Sequence, residues 1–593
     1  MEISGGQDPP KTLPSEEKFD LIIIGAGIYG LYAAKTFTTI CPTINLLVVD
    51  SLSSVGGVWS KDRVYPGFHI QHDSKFFEFP ELLFEDVPDI EMKYNARGYL
   101  SASSWCQYFQ VWVDKVGVMK YVRLNTTVQQ VTRQTGEEYL WKCQIHDGTS
   151  LLSRKLLVTT GISSVPRYPD LDVSKFSGLL THHRYFRERY EELVAENIQE
   201  VVVYGASKSS MDALIQFAEA GKKIKWIIRK EGRGPPWLLD LGGRRSHTFT
   251  MRILGVLFPS AHQDDGFTGL HHFFKRTFLG KAFQKYAYGA FAKLLLKGSG
   301  LDGPNVDERL APVVPDHCRS PIWVYNTSGV DNYDTSLYDY LRSGQIEAIR
   351  DTITSLKGNE ITLASGATLM ADAVVFATGF EPHYPFFSGD LAMRIGLPST
   401  SYTEEYLQKW TQLETEADKT VYKLNPILRL APMPPLHYLL NPQSGKLRLY
   451  HYIIPTDPEF LDGSLAILGP FTAPSTLQSA MVTSLWAAVY MLGKMELPSQ
   501  DEMEKTAAYE LRTQQIKHPG MFNDLPLLSF DFVAYSTIML KQLGLNPWRK
   551  GGWFNELIDP YSCQDYGDLA KEWVEKNGIV VNSGSEVDPS APR

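Results

Sequence analysis

The sequence predicts an α/β protein made of two open, mostly parallel sheets flanked by helices, one module interrupting the other. Three observations carry this. An apolar run, Leu21 to Ile24, leads into Gly25-x-Gly27-x-x-Gly30 and then into an Ala-rich helical pattern. A second segment, "EVVVYGASKSSMDALIQF", repeats that order from Val201 onward, with serines at two of the glycine positions. Finally, "LLVTTGISSVP" (Leu156 to Pro166) and "AVVFATGFEPH" (Ala373 to His383) echo each other as a buried strand, a Thr-Gly exit and a later proline. Such an echo is expected where a chain leaves one module and later returns to it.

In the first turn, Gly25 permits the tight bend, Gly27 lets backbone approach a pyrophosphate at a helix N-terminus, and Gly30 allows close helix–strand packing. The following strand, "INLLVVD", ends in Asp50, where a carboxylate accepts hydrogen bonds from an adenosine ribose. This site suits FAD or NAD. Immediately downstream, "SSVGGVWS" places Gly57, beside Gly56, where backbone can come close, and Trp59 offers a large flat surface. Either an isoalloxazine ring lies there or Trp59 is a core side chain.

The second turn reads Gly205, Ser207 and Ser210 in the same three roles, and its next strand, "KIKWIIRK", ends in Arg229 and Lys230 in place of an acid. A cation at that strand end selects a 2′-phosphate, so the second dinucleotide is NADPH. The prediction is therefore two Rossmann-like dinucleotide-binding domains: an FAD-binding domain over 15–165 and 380–545, and an NADPH-binding domain over 166–379 inserted into it. Thr378 and Gly379, at the returning Thr-Gly exit, are counted with the cofactor-binding residues. "EITLASGATLMAD" reads as a small hairpin with a Ser-Gly turn.

Composition bounds the remainder. The 593 residues exceed what one core supports. Hydrophobic residues at 43%, charged residues at 21% and a net charge of -9 describe a soluble globular protein with no electrostatic reason to bind nucleic acid. Five scattered cysteines without a C-x-x-C pair exclude a metal-ligand spacing and point to a reducing, cytoplasmic setting. Residues 1–17 carry no signal peptide and read as a disordered lead-in; 546–593 read as a C-terminal tail. The uncharged stretch Leu465 to Gly493 is broken by prolines and reads as a buried helix. The segment near 232–320, rich in Phe, Leu, His and Lys, reads as a helical insertion in preference to a membrane contact.

Between the first exit and the second turn lies "FSGLLTHHRYF". Phe176-x-Gly178-x-x-x-His182-x-x-x-Phe186 resembles the fingerprint of the flavin-containing monooxygenases, class B flavoprotein monooxygenases, together with "GGVW", "ATGF" and "LPS". Baeyer–Villiger relatives usually carry Trp at the position of Phe186. The resemblance implies that NADPH reduces FAD, that O2 then adds at flavin C4a, and that one oxygen atom passes to a small organic substrate at a nucleophilic N or S. It implies that His182 holds the linker and the retained NADP+ without acting as a general base. It also implies an active-site Asn, which this chain lacks; Gln71 stands in the nearest register and His72 is the alternative. Rival readings are Baeyer–Villiger oxygenation of a ketone, with Arg319 as an available cation, and a non-enzymatic flavin-binding NADPH sensor. A disulfide reductase would need a redox cysteine pair.

Overall fold

The computed structural model describes residues 16–579 apart from 231–233, 237, 240–245, 300, 302–305, 315–322, 324–328, 382–383, 435, 441–442, 444 and 522–524. Strand β1 (Glu16–Ile24) pairs from its first residue with a later strand, so the lead-in read as 1–17 ends before Glu16. After β1 come α1 (Ile28–Ile40), β2 (Leu46–Val49), α2 (Ala102–Lys115), β3 (Val122–Arg123), β4 (Val128–Arg133), β5 (Trp141–Ile145) and β6 (Ser150–Val158). The sheet order is β3-β2-β1-β6-β5-β4. β1, β2, β3 and β6 are parallel, and β4 to β6 form an antiparallel meander. Leu21 to Ile24 and Leu46 to Val49 are buried throughout, as expected of parallel strands covered on both faces.

The second sheet starts with β7 (Leu179–His182), followed by α3 (Tyr190–Val194), β8 (Glu200–Tyr204), α4 (Lys208–Glu219) and β9 (Lys223–Ile228). β10 (Leu238–Leu239) pairs with β11 (Gly329–Val330). β12 (Ile346–Arg350) completes one edge, β13 (Ile353–Lys357), β14 (Glu360–Leu363) and β15 (Thr368–Met370) make an antiparallel side sheet containing the expected hairpin, and β16 (Ala373–Phe376) returns to the centre. The order β12-β9-β8-β16-β7 is parallel throughout. The chain then re-enters the first sheet, where β17 (Leu465–Ile467) pairs with the upper half of β6.

The stretch read as a buried helix forms helix Thr476–Met491, every residue of which from Leu477 to Met491 is buried. Some of its polar groups find partners: Ser479 Oγ accepts from the Tyr29 hydroxyl at 2.8 Å, and the Gln478 amide donates to the Tyr561 carbonyl at 2.6 Å, while Ser484 Oγ and Gln478 Oε1 are buried without a hydrogen bond. Each bond made offsets part of the cost of burying polar groups on an uncharged helix. Among the described residues no helix is long and apolar enough to cross a membrane.

Within the region read as a C-terminal tail, 546–593, helices Trp553–Ile558, Cys563–Tyr566 and Leu569–Lys576 bury Leu557, Tyr566, Leu569 and Trp573, and the last packs on α1. These helices are short, so burial rather than propensity holds them, which is why local sequence does not announce them. Residues 580–593 lie outside the described residues. The insertion, in turn, does not stay with the second sheet. Its α5 (Arg252–Leu257) is pinned to the FAD side by buried Arg252, which donates to the Thr537 hydroxyl at 2.6 Å and the Tyr561 hydroxyl at 2.9 Å. Next come α6 (Thr268–Arg276) and α7 (Phe278–Ser299), stacked as a hairpin.

Candidate active site

The first turn is built as its glycines require. Gly25 has φ +115°, and a Cβ on it would lie 2.7 Å from the Thr159 carbonyl oxygen; a Cβ on Gly30 would lie 1.9 Å from the Gly25 carbonyl oxygen. Gly27 differs, because a Cβ there meets nothing nearer than the Cα of Gly57, at 3.8 Å. Gly27 is also the N-cap of α1 and makes no side-chain cap bond. Two glycines thus face each other over a helix N-terminus, leaving a cradle of backbone that side chains would fill. The Gly56 N–H donates to the Ala26 carbonyl at 2.9 Å and fixes the second wall of the cradle.

Asp50 follows β2 and braces the turn itself. Its two carboxylate oxygens accept from the backbone N–H groups of Ala26 at 2.7 Å and Leu52 at 2.8 Å. Burial raises the Asp50 pKa, opposed by these bonds and by the Arg184 cation. Trp59 is half-buried in an aromatic cluster, stacked on Phe68 at 5.4 Å and tilted against Trp105. The packing contacts make part of Trp59 a core side chain, and the rest of it stays at the surface of the cradle loop.

The second turn repeats the first with one chemical change. Gly205 has φ +132° and a Cβ on it would lie 2.1 Å from the Ala377 carbonyl oxygen, just as Gly25 abuts Thr159. Ser207 is the N-cap of α4, and its hydroxyl is buried with no hydrogen-bond partner. An orphan hydroxyl at a helix N-terminus fits a phosphate oxygen. Ser210 has a different use: its hydroxyl donates to the Ser207 carbonyl at 2.6 Å, so it shapes the turn from within. Arg229 and Lys230 stand exposed directly after β9. Lys208 is already committed to Asp212 at 2.5 Å and the Tyr333 hydroxyl at 2.6 Å.

The two chain crossings between the modules run side by side. The Arg167 N–H donates to the Gly379 carbonyl at 3.0 Å, the Glu381 N–H donates to the Val165 carbonyl at 2.8 Å, and the Thr378 hydroxyl donates to the Arg167 carbonyl. His182, at the end of β7, joins this ribbon. Its Nε2 lies 3.1 Å from the Gly379 carbonyl oxygen, and its Nδ1 accepts the Arg184 backbone N–H at 3.0 Å. These partners assign the proton to Nε2 and engage both ring nitrogens. Burial brings the ring down to about 4, helped by the Arg184 and Arg63 cations and opposed by the Gly379 bond. His182 is therefore neutral at pH 7.

The rest of the fingerprint also has a physical basis. A Cβ on Gly178 would lie 2.5 Å from the Asp372 carbonyl oxygen and 2.7 Å from the Phe176 ring. Phe186 is fully buried, edge-on to Tyr65 and Phe217. Gln71 is held apart from His182: its side-chain oxygen accepts the Val330 N–H at 3.0 Å, which ties its loop to β11. His72 stacks on Phe77 and is lowered to about 4 by burial. Arg319 lies outside the described residues.

Several residues escape the sequence reading. Thr159 donates its hydroxyl to the carbonyls of Ile24 and Gly25 at 3.0 and 2.9 Å, locking the first turn. Arg63 donates to the Ser163 carbonyl at 2.9 Å, and Arg184 keeps a buried Nη1 without a hydrogen bond. Asn332 accepts from Lys208 at 3.0 Å and donates to the His69 carbonyl at 2.9 Å, bridging the two modules. Thr159 directly precedes the Thr-Gly exit of the echo, and Arg184 lies inside the Phe176–Phe186 fingerprint at a position the pattern leaves open; Arg63 and Asn332 lie in stretches with no motif.

Residues 22–236 match the family model described as pyridine nucleotide-disulphide oxidoreductase. The described cysteines, Cys41, Cys106, Cys143 and Cys563, are all free thiols. The chain is 30% identical over 583 residues to the FAD-dependent monooxygenase resA of Aspergillus sclerotiorum, covering 94% of this chain and 98% of that protein. It is 28% identical over 566 residues to the FAD-dependent monooxygenase DEP4 of Alternaria brassicicola, covering 94% and 95%. Among solved structures, cyclohexanone monooxygenase from Rhodococcus sp. Phi1 bound to NADP+ has the same fold, with a TM-score of 0.58 at 15% identity over 89% of this chain and 98% of that one. The closed form of cyclohexanone monooxygenase gives 0.59 at 14% identity over 89% and 97%. The chain belongs to the FAD-dependent monooxygenases, a family of class B flavoprotein monooxygenases. FAD is its flavin.

Proposed function

We propose that this monooxygenase uses NADPH as its reductant and delivers one atom of O2 to a nucleophilic nitrogen or sulfur of a small organic substrate. The observation that carries the choice of reductant is the charge reversal between two otherwise matching turns: Asp50 closes β2, whereas exposed Arg229 follows β9. A charged hydrogen bond to a 2′-phosphate contributes about 1.5–3 kcal/mol. The orphan Ser207 hydroxyl and the Arg184 guanidinium supply further partners for phosphate oxygens.

Bound flavin, once reduced, supplies the activation of O2. The chain's own tasks are placement and exclusion of water. Gly27 and Gly57 admit the pyrophosphate, Thr159 holds the turn, and His182 fixes the linker through Gly379. With both ring nitrogens engaged, His182 is a positioning residue and holds its proton on Nε2. Gln71, anchored on Val330, presents an amide in place of the usual Asn.

Phe186, where ketone-oxidising relatives usually carry Trp, favours nitrogen or sulfur oxygenation. One observation favours the second reading, Baeyer–Villiger oxygenation: Arg63 is a half-buried guanidinium beside the linker, a cation able to stabilise a developing anion. The test is product analysis under labelled O2 with NADPH and a panel of thioethers, amines and cyclic ketones. Labelled sulfoxide or hydroxylamine supports the first reading, labelled ester the second. Equal rates with NADH and NADPH would remove the choice of reductant.

A further inference from the structure

The hairpin α6–α7 presents a face that the enzyme's chemistry does not use. Among the described residues, ten of the seventeen large apolar side chains that stand exposed lie in just two short segments, 273–286 and 430–440. Phe278 is 83% exposed, Tyr286 73%, Leu279 69% and Phe283 48%. The second segment contributes Leu430, Met433, Leu436 and Leu440, each more than half exposed. The two segments are neighbours, because Ile427 and Tyr288 share one buried cluster and the turn Pro426–Leu430 packs against α6.

α7 buries one side and leaves a separate apolar stripe exposed. Gly280, Gln284 and Tyr288, spaced four residues apart, face the protein and are buried. Gln284 donates to the Leu257 carbonyl at 2.6 Å, and a Cβ on Gly280 would lie 1.9 Å from the Phe273 carbonyl oxygen. At 100° per residue, Leu279, Phe283, Tyr286 and Ala290 form a stripe centred about 130° round the helix from that face, and all four are exposed. Lys275, buried in the hairpin and bonded to the Gly255 carbonyl at 3.0 Å, holds α6 against α5. The exposed stripe therefore sits on a rigid base.

Charge identifies what covers it. Residues 266–301 contain six cations and no acidic residue, in a chain whose net charge is -9. Five of these cations, Arg276, Lys281, Lys285, Lys293 and Lys297, are exposed. Exposed aromatic and aliphatic side chains flanked by lysines on a helix lying flat on its protein match an interfacial helix, with apolar groups among acyl chains and cations at anionic headgroups. The geometry points to the α6–α7 hairpin as a docking surface for an anionic lipid bilayer, which the protein meets from one side without spanning it.

The test is co-sedimentation of the FAD-loaded full chain with vesicles of phosphatidylcholine alone or with a third of phosphatidylserine. Binding is expected to the mixed vesicles and to fall with salt. In a Lys281→Glu/Lys285→Glu variant the partition coefficient should fall by about twenty-fivefold or more, near fivefold for each cation lost. Leu279→Ser/Phe283→Ser should lower it about a hundredfold, since each side chain loses most of its apolar burial. Both variants should keep their flavin absorbance and their NADPH oxidation rate in vesicle-free buffer, which separates lost docking from lost folding. Failure of the native chain to sediment with the mixed vesicles, or equal binding by both variants, overturns the inference. So does a native dimer that these substitutions convert to monomer in the absence of vesicle binding, which would assign the face to a second copy of the chain.

Discussion

His182 and Gly379 stand 197 positions apart in sequence and meet at 3.1 Å, ring nitrogen to carbonyl oxygen, on the ribbon that joins the two modules. The same oxygen accepts the Arg167 N–H, so one carbonyl gathers both crossings and the end of β7. Removing the ring frees the linker without removing any group that must transfer a proton. His182→Ala is expected to slow flavin reduction only moderately while lowering product formed per NADPH and raising hydrogen peroxide released. Stopped-flow reduction with parallel peroxide and product assays checks this; unchanged coupling would make His182 a packing residue alone.

Acid should loosen the same region. Burial is the main cause that brings His72, His182 and His183 each to about 4, from an ordinary value of 6.5. The unfolded chain takes up these protons first. Stability is therefore complete above about 6.5 and is lost as pH falls from there toward 4. Thermal unfolding followed across that window should show a declining Tm, with a shallower decline in His182→Asn.

The two kinds of glycine in the first turn make opposite predictions. A side chain at Gly30 collides with the Gly25 carbonyl, so Gly30→Val should destabilise the fold itself. A side chain at Gly27 meets open space, so Gly27→Val should fold yet fill the cradle and lose flavin. Flavin content per folded protein, with circular dichroism on the same sample, distinguishes the two; a fully loaded Gly27→Val protein would remove the cradle assignment.

Arg229→Ala should raise KM for NADPH by about thirtyfold, the scale of one charge-assisted hydrogen bond, and leave NADH nearly unchanged. Steady-state oxidation of both nucleotides gives the comparison. Equal losses would move phosphate recognition to Lys230 or Arg184.

Ser207→Ala separates binding from stability. The native hydroxyl is buried without a partner, so its removal should leave the nucleotide-free protein as stable or about 1 kcal/mol more stable. NADPH binding should weaken all the same. Chemical denaturation and nucleotide titration of the same variant measure both, and a destabilised variant with normal affinity would return Ser207 to a structural role.

The parts of the fold legible in the sequence are those whose causes are local. β1, its glycine turn and α1 follow from a continuous apolar run and three glycines within six residues, and β8 and α4 repeat the signal. Asp50 and Arg229 were readable because strand ends carry them. The causes of the fingerprint are not local. Gly178 is small because the Asp372 carbonyl, from the residue just before β16, occupies the place of its Cβ. Arg252 in the insertion likewise finds its partners at Thr537 and Tyr561. No window of sequence contains both halves of such a contact. Ser210 shows the limit within a motif, since its spacing matched a phosphate turn while its hydroxyl serves the backbone of Ser207.

The paired crossings also determine how the inserted module can move. Pro166 and Phe380 form an antiparallel bridge, with hydrogen bonds from Arg167 and Glu381 on either side of it. A body hung on a single thread can swivel in any direction. One hung on a two-stranded tape can flex across the tape's flat face and twist about its length, but sliding one strand past the other breaks the register. The inserted module is thus confined to a hinge with a chosen axis.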